Sequence, residues 1–120
     1  MMERGSIRSL VDTQFLTTAA AIYYTLVGMP NDVATINSIV FANTTGAAKT
    51  VTIHNVVSGG TAVPGNQIFP AVSLPANTTW VGRYPDDGLC VIKNGGTIQA
   101  LASANTAVTL TIGGRVYHGG

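Results

Sequence analysis

A period of two runs through this chain. In Ala107-Val108-Thr109-Leu110-Thr111-Ile112, the residues Val108, Leu110 and Ile112 fall on one side of an extended backbone and Thr109 and Thr111 on the other. Thr50-Val51-Thr52-Ile53-His54 repeats the alternation. Threonine and valine are stiff at χ1 and suit a pleated, half-buried surface. No segment shows helical periodicity with caps; the 17–24 stretch carries three alanines, but the β-branched and aromatic residues after it favour a strand. Further strands are predicted over 21–27, 35–43, 78–84, 89–93 and 97–102. Residues 7–18 supply either one more strand or an arm lying across a neighbour.

Turn chemistry separates these runs at short intervals. Asn43-Thr44-Thr45-Gly46, Ser58-Gly59-Gly60, Pro64-Gly65-Asn66, Pro85-Asp86-Asp87-Gly88 and Asn94-Gly95-Gly96 all lie between β segments. Asn94-Gly95 reads as a hairpin of type I′, whose two central residues both need positive φ. Pro30, Pro70, Pro75 and Pro85 fall at edges or connections, where a missing amide donor does no harm. The similar wording of Ala42-Asn43-Thr44 and Ala104-Asn105-Thr106 reads as shared turn grammar rather than a duplicated unit. The 120 residues suffice for one core. The expected fold is all-β: a single antiparallel β-sandwich, jelly-roll-like, of about eight strands with an N-terminal arm. The arm or first strand takes 1–18, the sandwich 19–117 and a loose tail 118–120.

Composition decides what such a sandwich exposes. Six Lys and Arg and five Asp and Glu make 9% charged residues, where about 25% is ordinary. Sixteen threonines, 14 glycines, eight asparagines and six serines take their place, while 46% hydrophobic residues leave the interior well supplied. A net charge of +1 offers no basic stripe for phosphates, so no nucleic-acid partner is expected. No run of eighteen apolar residues exists to enter a membrane, and the polar positions after Gly5 give no secretory leader. A surface without charges to keep it soluble points to one covered by partners.

Chemistry-bearing groups are few and scattered. Glu3, Asp12, Asp32, Asp86, Asp87, His54, His118 and Cys90 form no cluster in sequence, so neither an enzyme nor a cofactor is expected. His54 alternates with threonines and is expected on a solvent or interface side. Cys90, between Leu89 and Val91-Ile92, reads as a buried, inert thiol. Asp86-Asp87-Gly88 is a turn rather than a calcium loop, since that ion wants six to eight oxygens. The Gly-Gly pairs at 59–60, 95–96, 113–114 and 119–120 lack the lysine and helix of a phosphate loop and read as turns, a bulge and a tail. The sequons Asn43-Thr44-Thr45 and Asn77-Thr78-Thr79 read as Asx-type turns. Tyr23 and Tyr24, adjacent on a strand, are expected on opposite faces. With His54 and Trp80 they are candidate oligomer-interface residues. Arg4, Ile7, Arg8, Leu10, Val11 and Phe15 are candidates for an anchor onto a larger assembly.

Over residues 22–117 the chain resembles a family of small tailed-bacteriophage virion proteins of the capsid decoration or cement type. The resemblance is carried by Ile39-Val40-Phe41-Ala42-Asn43-Thr44-Thr45-Gly46, Lys49-Thr50-Val51-Thr52-Ile53-His54, Ala71-Val72-Ser73-Leu74-Pro75-Ala76-Asn77-Thr78 and Asn94-Gly95-Gly96-Thr97-Ile98-Gln99-Ala100, with the strand to Ile112. These motifs are β-turn grammar, not a catalytic signature. The chain departs from the family in carrying Asn94-Gly95-Gly96 where an acidic G-D is common. The resemblance implies a jelly-roll-like sandwich and a non-enzymatic role on the virion. Its partners would be the phage major capsid protein and further copies of itself, with a trimer expected from shell symmetry. Made in the host cytoplasm, it would end on the capsid surface. A neck, tail or fibre-base component in host attachment is the alternative; a lectin-like or calcium-binding module is a third reading.

Overall fold

The computed structural model describes residues 6–85 and 88–118. They form strands β1 (Ser6–Phe15), β2 (Ala21–Thr25), β3 (Val33–Asn43), β4 (Lys49–Val56), β5 (Gln67–Leu74), β6 (Thr79–Arg83), β7 (Val91–Lys93), β8 (Thr97–Ala102) and β9 (Val108–Tyr117). A three-residue 3-10 turn, Pro64–Asn66, precedes β5. All pairings are antiparallel. One sheet runs β1-β9-β3-β6, with β7 beside the first residues of β3; the other runs β2-β8-β4-β5. Strands β1 to β4 alternate between the sheets, as do β7 to β9, which is the strand order of a jelly roll. The all-β sandwich expected from the alternation is what forms, with nine strands rather than about eight because β5 joins those read from the sequence.

The alternation sets the core. Ile36, Ile39 and Phe41 of β3 and Val108, Leu110 and Ile112 of β9 face Val51 and Ile53 of β4 and Ile98 and Ala100 of β8. Fully burying a side chain of this kind is worth about 1.5–3 kcal/mol. Of the strand and the arm considered for residues 7–18, the structure shows the strand. β1 pairs with β9, and Leu10 and Val11 join the core.

Three local expectations are corrected. β5 escaped notice because Pro70 and two irregularities in its pairing with β4 break the period of two. At one of these Ala71 takes φ 41° and donates its N–H to Thr52 Oγ1 at 3.1 Å. As an edge strand, β5 tolerates the proline. Asn94-Gly95 is not a hairpin: it carries the chain from β7 in one sheet to β8 in the other. Only Gly95 has positive φ (83°), and Gly96 N–H donates to Lys93 O at 2.8 Å, the pattern of a type II turn. Finally, β9 does not stop at Ile112. It continues through Gly113-Gly114, beside extra residues on both neighbouring strands.

The first sequon is a structural joint. Asn43 is 2% exposed. Its Nδ2 donates to the carbonyls of Ala47, Leu74 and Pro75, while its Oδ1 accepts from Thr45 N–H and Thr45 Oγ1. The end of β3 is thereby tied to the chain leaving β5. Thr44 N–H and Oγ1 both donate to Ala107 O, so the two Ala-Asn-Thr turns meet where the chain changes sheets.

Candidate interaction surface

The two sheets turn different surfaces outward. On the β4 sheet, the alternation places His54 on the outer side opposite Gln99. The segment 61–66 folds back over it: His54 Nδ1 lies 2.7 Å from Asn66 Oδ1 and 3.1 Å from Val63 O. Both are acceptors, since Asn66 Oδ1 also takes Val63 N–H and Asn66 Nδ2 donates to Thr61 O. Nδ1 therefore carries the proton. His54 is 4% exposed, which corrects the expectation of a solvent-facing ring. A distant loop, invisible to the local pattern, supplies its cover.

The β9 sheet presents an ordered grid. The register puts Phe15, Thr109, Ala42 and Thr79 in one row across β1, β9, β3 and β6. The next row holds Thr111, Val40 and Val81, with Thr13 joined to Thr111 through their hydroxyls at 2.7 Å. The third holds Ser9, Gly113, Ser38 and Arg83, and beyond it lies Ile7 opposite Arg115. Phe15, Val81 and Ile7 stand 45%, 50% and 79% exposed. From strand spacing and rise these rows cover about 400 Å² in projection. That is roughly half of the ~800 Å² per partner of a standard interface.

At one end of the grid the surface dips into a cleft of about 480 Å³ lined by Asn37, Ser38, Arg83, Tyr84, Pro85 and Arg115. Asn37 is the extra residue of β3 opposite Gly113-Gly114. Its Nδ2 donates to Tyr84 O, and its Oδ1 accepts from Thr35 Oγ1. Among the described residues neither arginine enters an ion pair, and His118 Nδ1 lies 3.1 Å from Asp32 Oδ2. That contact ties His118, expected in a loose tail, to the turn before β3. Asp32 also caps the turn by accepting Met29 N–H at 3.0 Å.

The residues singled out in the sequence do not converge. Ile7 and Phe15 lie on the outward grid, whereas Leu10 and Val11 are core; Arg8 sits beside Tyr24 on the adjoining rim. Arg4, Asp86 and Asp87 fall outside the described residues. Tyr23 and Tyr24 do not take opposite faces, because a pairing irregularity between Ile22 and Tyr24 interrupts β2, and both rings pack against the core. Burial raises the Tyr24 hydroxyl above its ordinary range, with nearby Arg8 opposing. Trp80 stacks on Phe41 at 5.3 Å and meets Phe69 edge-on at 5.6 Å, closing the sandwich between β6 and β5. Gly82 makes room for it, since a Cβ there would fall 2.7 Å from the indole. Burial pushes the Cys90 thiol up, and a hydrogen bond with Asn55 only partly offsets this. The Arg83–Arg115 cleft was missed. Its arginines belong to strands on opposite sides of β3, and no local pattern joins them.

No protein-family model matches the sequence, and no curated protein matches it. Among solved structures the chain is similar to a Bacillus endospore appendage from a family of disulfide-linked pili. The two are 18% identical over 96% of this chain and 90% of that one, with a TM-score of 0.51. It is also similar to a chain of infectious bursal disease virus, Gx strain, at 13% identity and a TM-score of 0.53. That match covers 98% of this chain and 32% of the viral one, so the chain spans about a third of its length. At these identities what is shared is the fold, a jelly-roll-like antiparallel sandwich that occurs in a pilus and in a virus.

Proposed function

We propose that this is a non-enzymatic virion structural protein that decorates and cements a phage capsid by bridging neighbouring major capsid protein subunits. The observation that carries the reading is the outward grid of the β9 sheet: built mainly of threonine, valine, alanine and serine with Phe15 and Ile7 exposed on it, and charged only at the arginine end and at Asp12, whose carboxylate accepts from Ser9 Oγ. Contacts made by such groups are less exposed to ionic screening than ion pairs, which suits a joint that must hold across changes of salt. One grid of about 400 Å² gives a weak contact by itself. A symmetric oligomer, with a trimer the simplest on a shell's three-fold axis, multiplies that contact through effective concentration. The phage-family resemblance supports the same reading.

The test is binding to undecorated capsids of the source virus, with bound copies counted by gel densitometry. Val81→Asp should reduce binding at least tenfold while leaving the melting temperature within a few degrees, because Val81 is half exposed on an edge strand. Binding unaffected by Val81→Asp refutes the assignment of the face. Saturation near a dozen copies, rather than hundreds, replaces the cement role by a neck, tail or fibre-base one.

A further inference from the structure

We infer that the Arg83–Arg115 cleft is a receptor for carboxylate groups of an acidic segment on the docking partner. The inference deepens the proposed function and rests on it for the partner's presence, though not for the cleft's chemistry. Arg83 of β6 and Arg115 of β9 both line the cleft, on either side of β3. Strand spacing and rise put their Cα atoms about 12 Å apart. The floor between them is low: Ser38 and Gly113 lie side by side in the register, and a Cβ at Gly113 would meet Ser38 Oγ at 2.7 Å. The extra residue of β3, Asn37, also lines it. A hollow of about 480 Å³ floored by small residues and walled by two arginines fits a planar oxyanion held by paired N–H donors.

The rest of the grid narrows the source. Apart from the Asp12 carboxylate, which accepts from Ser9 Oγ at the β1 edge, its rows are neutral, so a partner seated on them also covers this cationic end. Arginine covered without a counter-charge is strongly unfavourable, whereas a paired one fixes orientation and register. A partner complementary to the grid therefore carries carboxylates where the arginines lie. The neutral threonine face provides area, and the cleft decides which way round the partner sits.

The experiment has two arms. In the first, Arg Nε–H resonances of the full chain are followed by NMR while a capped tetraglutamate peptide or inorganic phosphate is added. The peptide should shift Arg83 and Arg115, and an Arg83→Gln/Arg115→Gln double variant should weaken its binding at least tenfold. No shift, phosphate binding without peptide binding, or peptide binding only after Asp86→Asn and Asp87→Asn would each overturn the inference. In the second arm, the double variant and parent are compared for capsid binding at low and high salt. The variant should lose at least tenfold at low salt and show a flatter salt dependence; equal binding and equal slopes overturn the partner assignment. Peptide binding without any capsid binding leaves the carboxylate receptor standing and removes the cement reading, so the two failures are distinct.

Discussion

Two adjacent glycines in the middle of the central strand β9 should respond very unequally to the same methyl group. At Gly114 a Cβ would fall on the Thr35 carbonyl oxygen, well inside contact distance, with the Thr35 carbonyl carbon 3.1 Å away and Leu10 Cδ1 at 2.9 Å. The first two atoms are backbone of β3, and β9 is held between β3 and β1, so the clash cannot be relieved by a rotamer. At Gly113 the nearest atom is Ser38 Oγ at 2.7 Å, the tip of a short side chain that can rotate, and the next is Arg8 O at an ordinary 3.9 Å. Overpacking in a core costs about 1–3 kcal/mol where side chains can adjust. Forcing two paired strands apart exceeds that, so Gly114→Ala should cost about 4 kcal/mol. At this chain length each kcal/mol moves the melting temperature by about 4 °C, giving a loss of about 15 °C. Gly113→Ala should stay within about 1 kcal/mol, because alanine also narrows the unfolded ensemble. Thermal unfolding followed by far-UV circular dichroism measures both, at two protein concentrations because self-association would raise the midpoint. Equal losses in the two variants, or a Gly114→Ala midpoint within about 4 °C of the parent, would refute the close approach of β3 and β9.

Other expectations follow from the same geometry. Trp80→Ala removes the ring that stacks on Phe41 and should cost about 3 kcal/mol, at the low end for aromatic truncation because the indole is only half-buried; urea denaturation measures it. Asn43→Ala leaves the carbonyls of Ala47, Leu74 and Pro75 without this donor and should cost about 2–3 kcal/mol, read as a lower urea midpoint with unchanged slope. Its burial also predicts that mass spectrometry finds no glycan on Asn43 of the folded protein, even where a glycosylating enzyme is present. For Cys90, the folded state holds the thiol proton more tightly than the unfolded chain does. Its stabilising contribution is therefore complete below the ordinary thiol range and falls as pH rises through the raised folded value. Stability measured from pH 7 to 10 should decline less in Cys90→Ser than in the parent, and iodoacetamide should label Cys90 far faster in urea than in buffer.

Local wording carried much of this fold. The strand over 97–102 lies where its alternation predicts, and the Val108–Ile112 face points inward as expected. What hid the rest was the placement of extra residues. β5 contains Ile68, Phe69, Val72 and Leu74, all at least half-buried, yet their spacing follows no single period because the strand slips against β4 twice. Tyr23 and Tyr24 both pack against the core for a similar reason, the irregularity in the pairing of β2 with β8. His54 was misread because the strand pattern gives a side chain's direction but not what lies beyond it. The cleft was hidden most completely: Arg83 and Arg115 are 32 positions apart and meet only through β3.

Strand period, turn positions and a nearly uncharged exterior follow from the sequence alone, because each depends on neighbours within a few residues. Their sum already excludes helical folds and phosphate-binding stripes. Which outer face is covered and which is left open depended on tertiary structure. A segment twelve residues along the chain from His54 closes over that side chain on one sheet, while pairing across β1, β9, β3 and β6 gathers the mainly neutral grid and its cationic end on the other. Strand order is set by burial summed over the whole sandwich, and no local alternation encodes that sum.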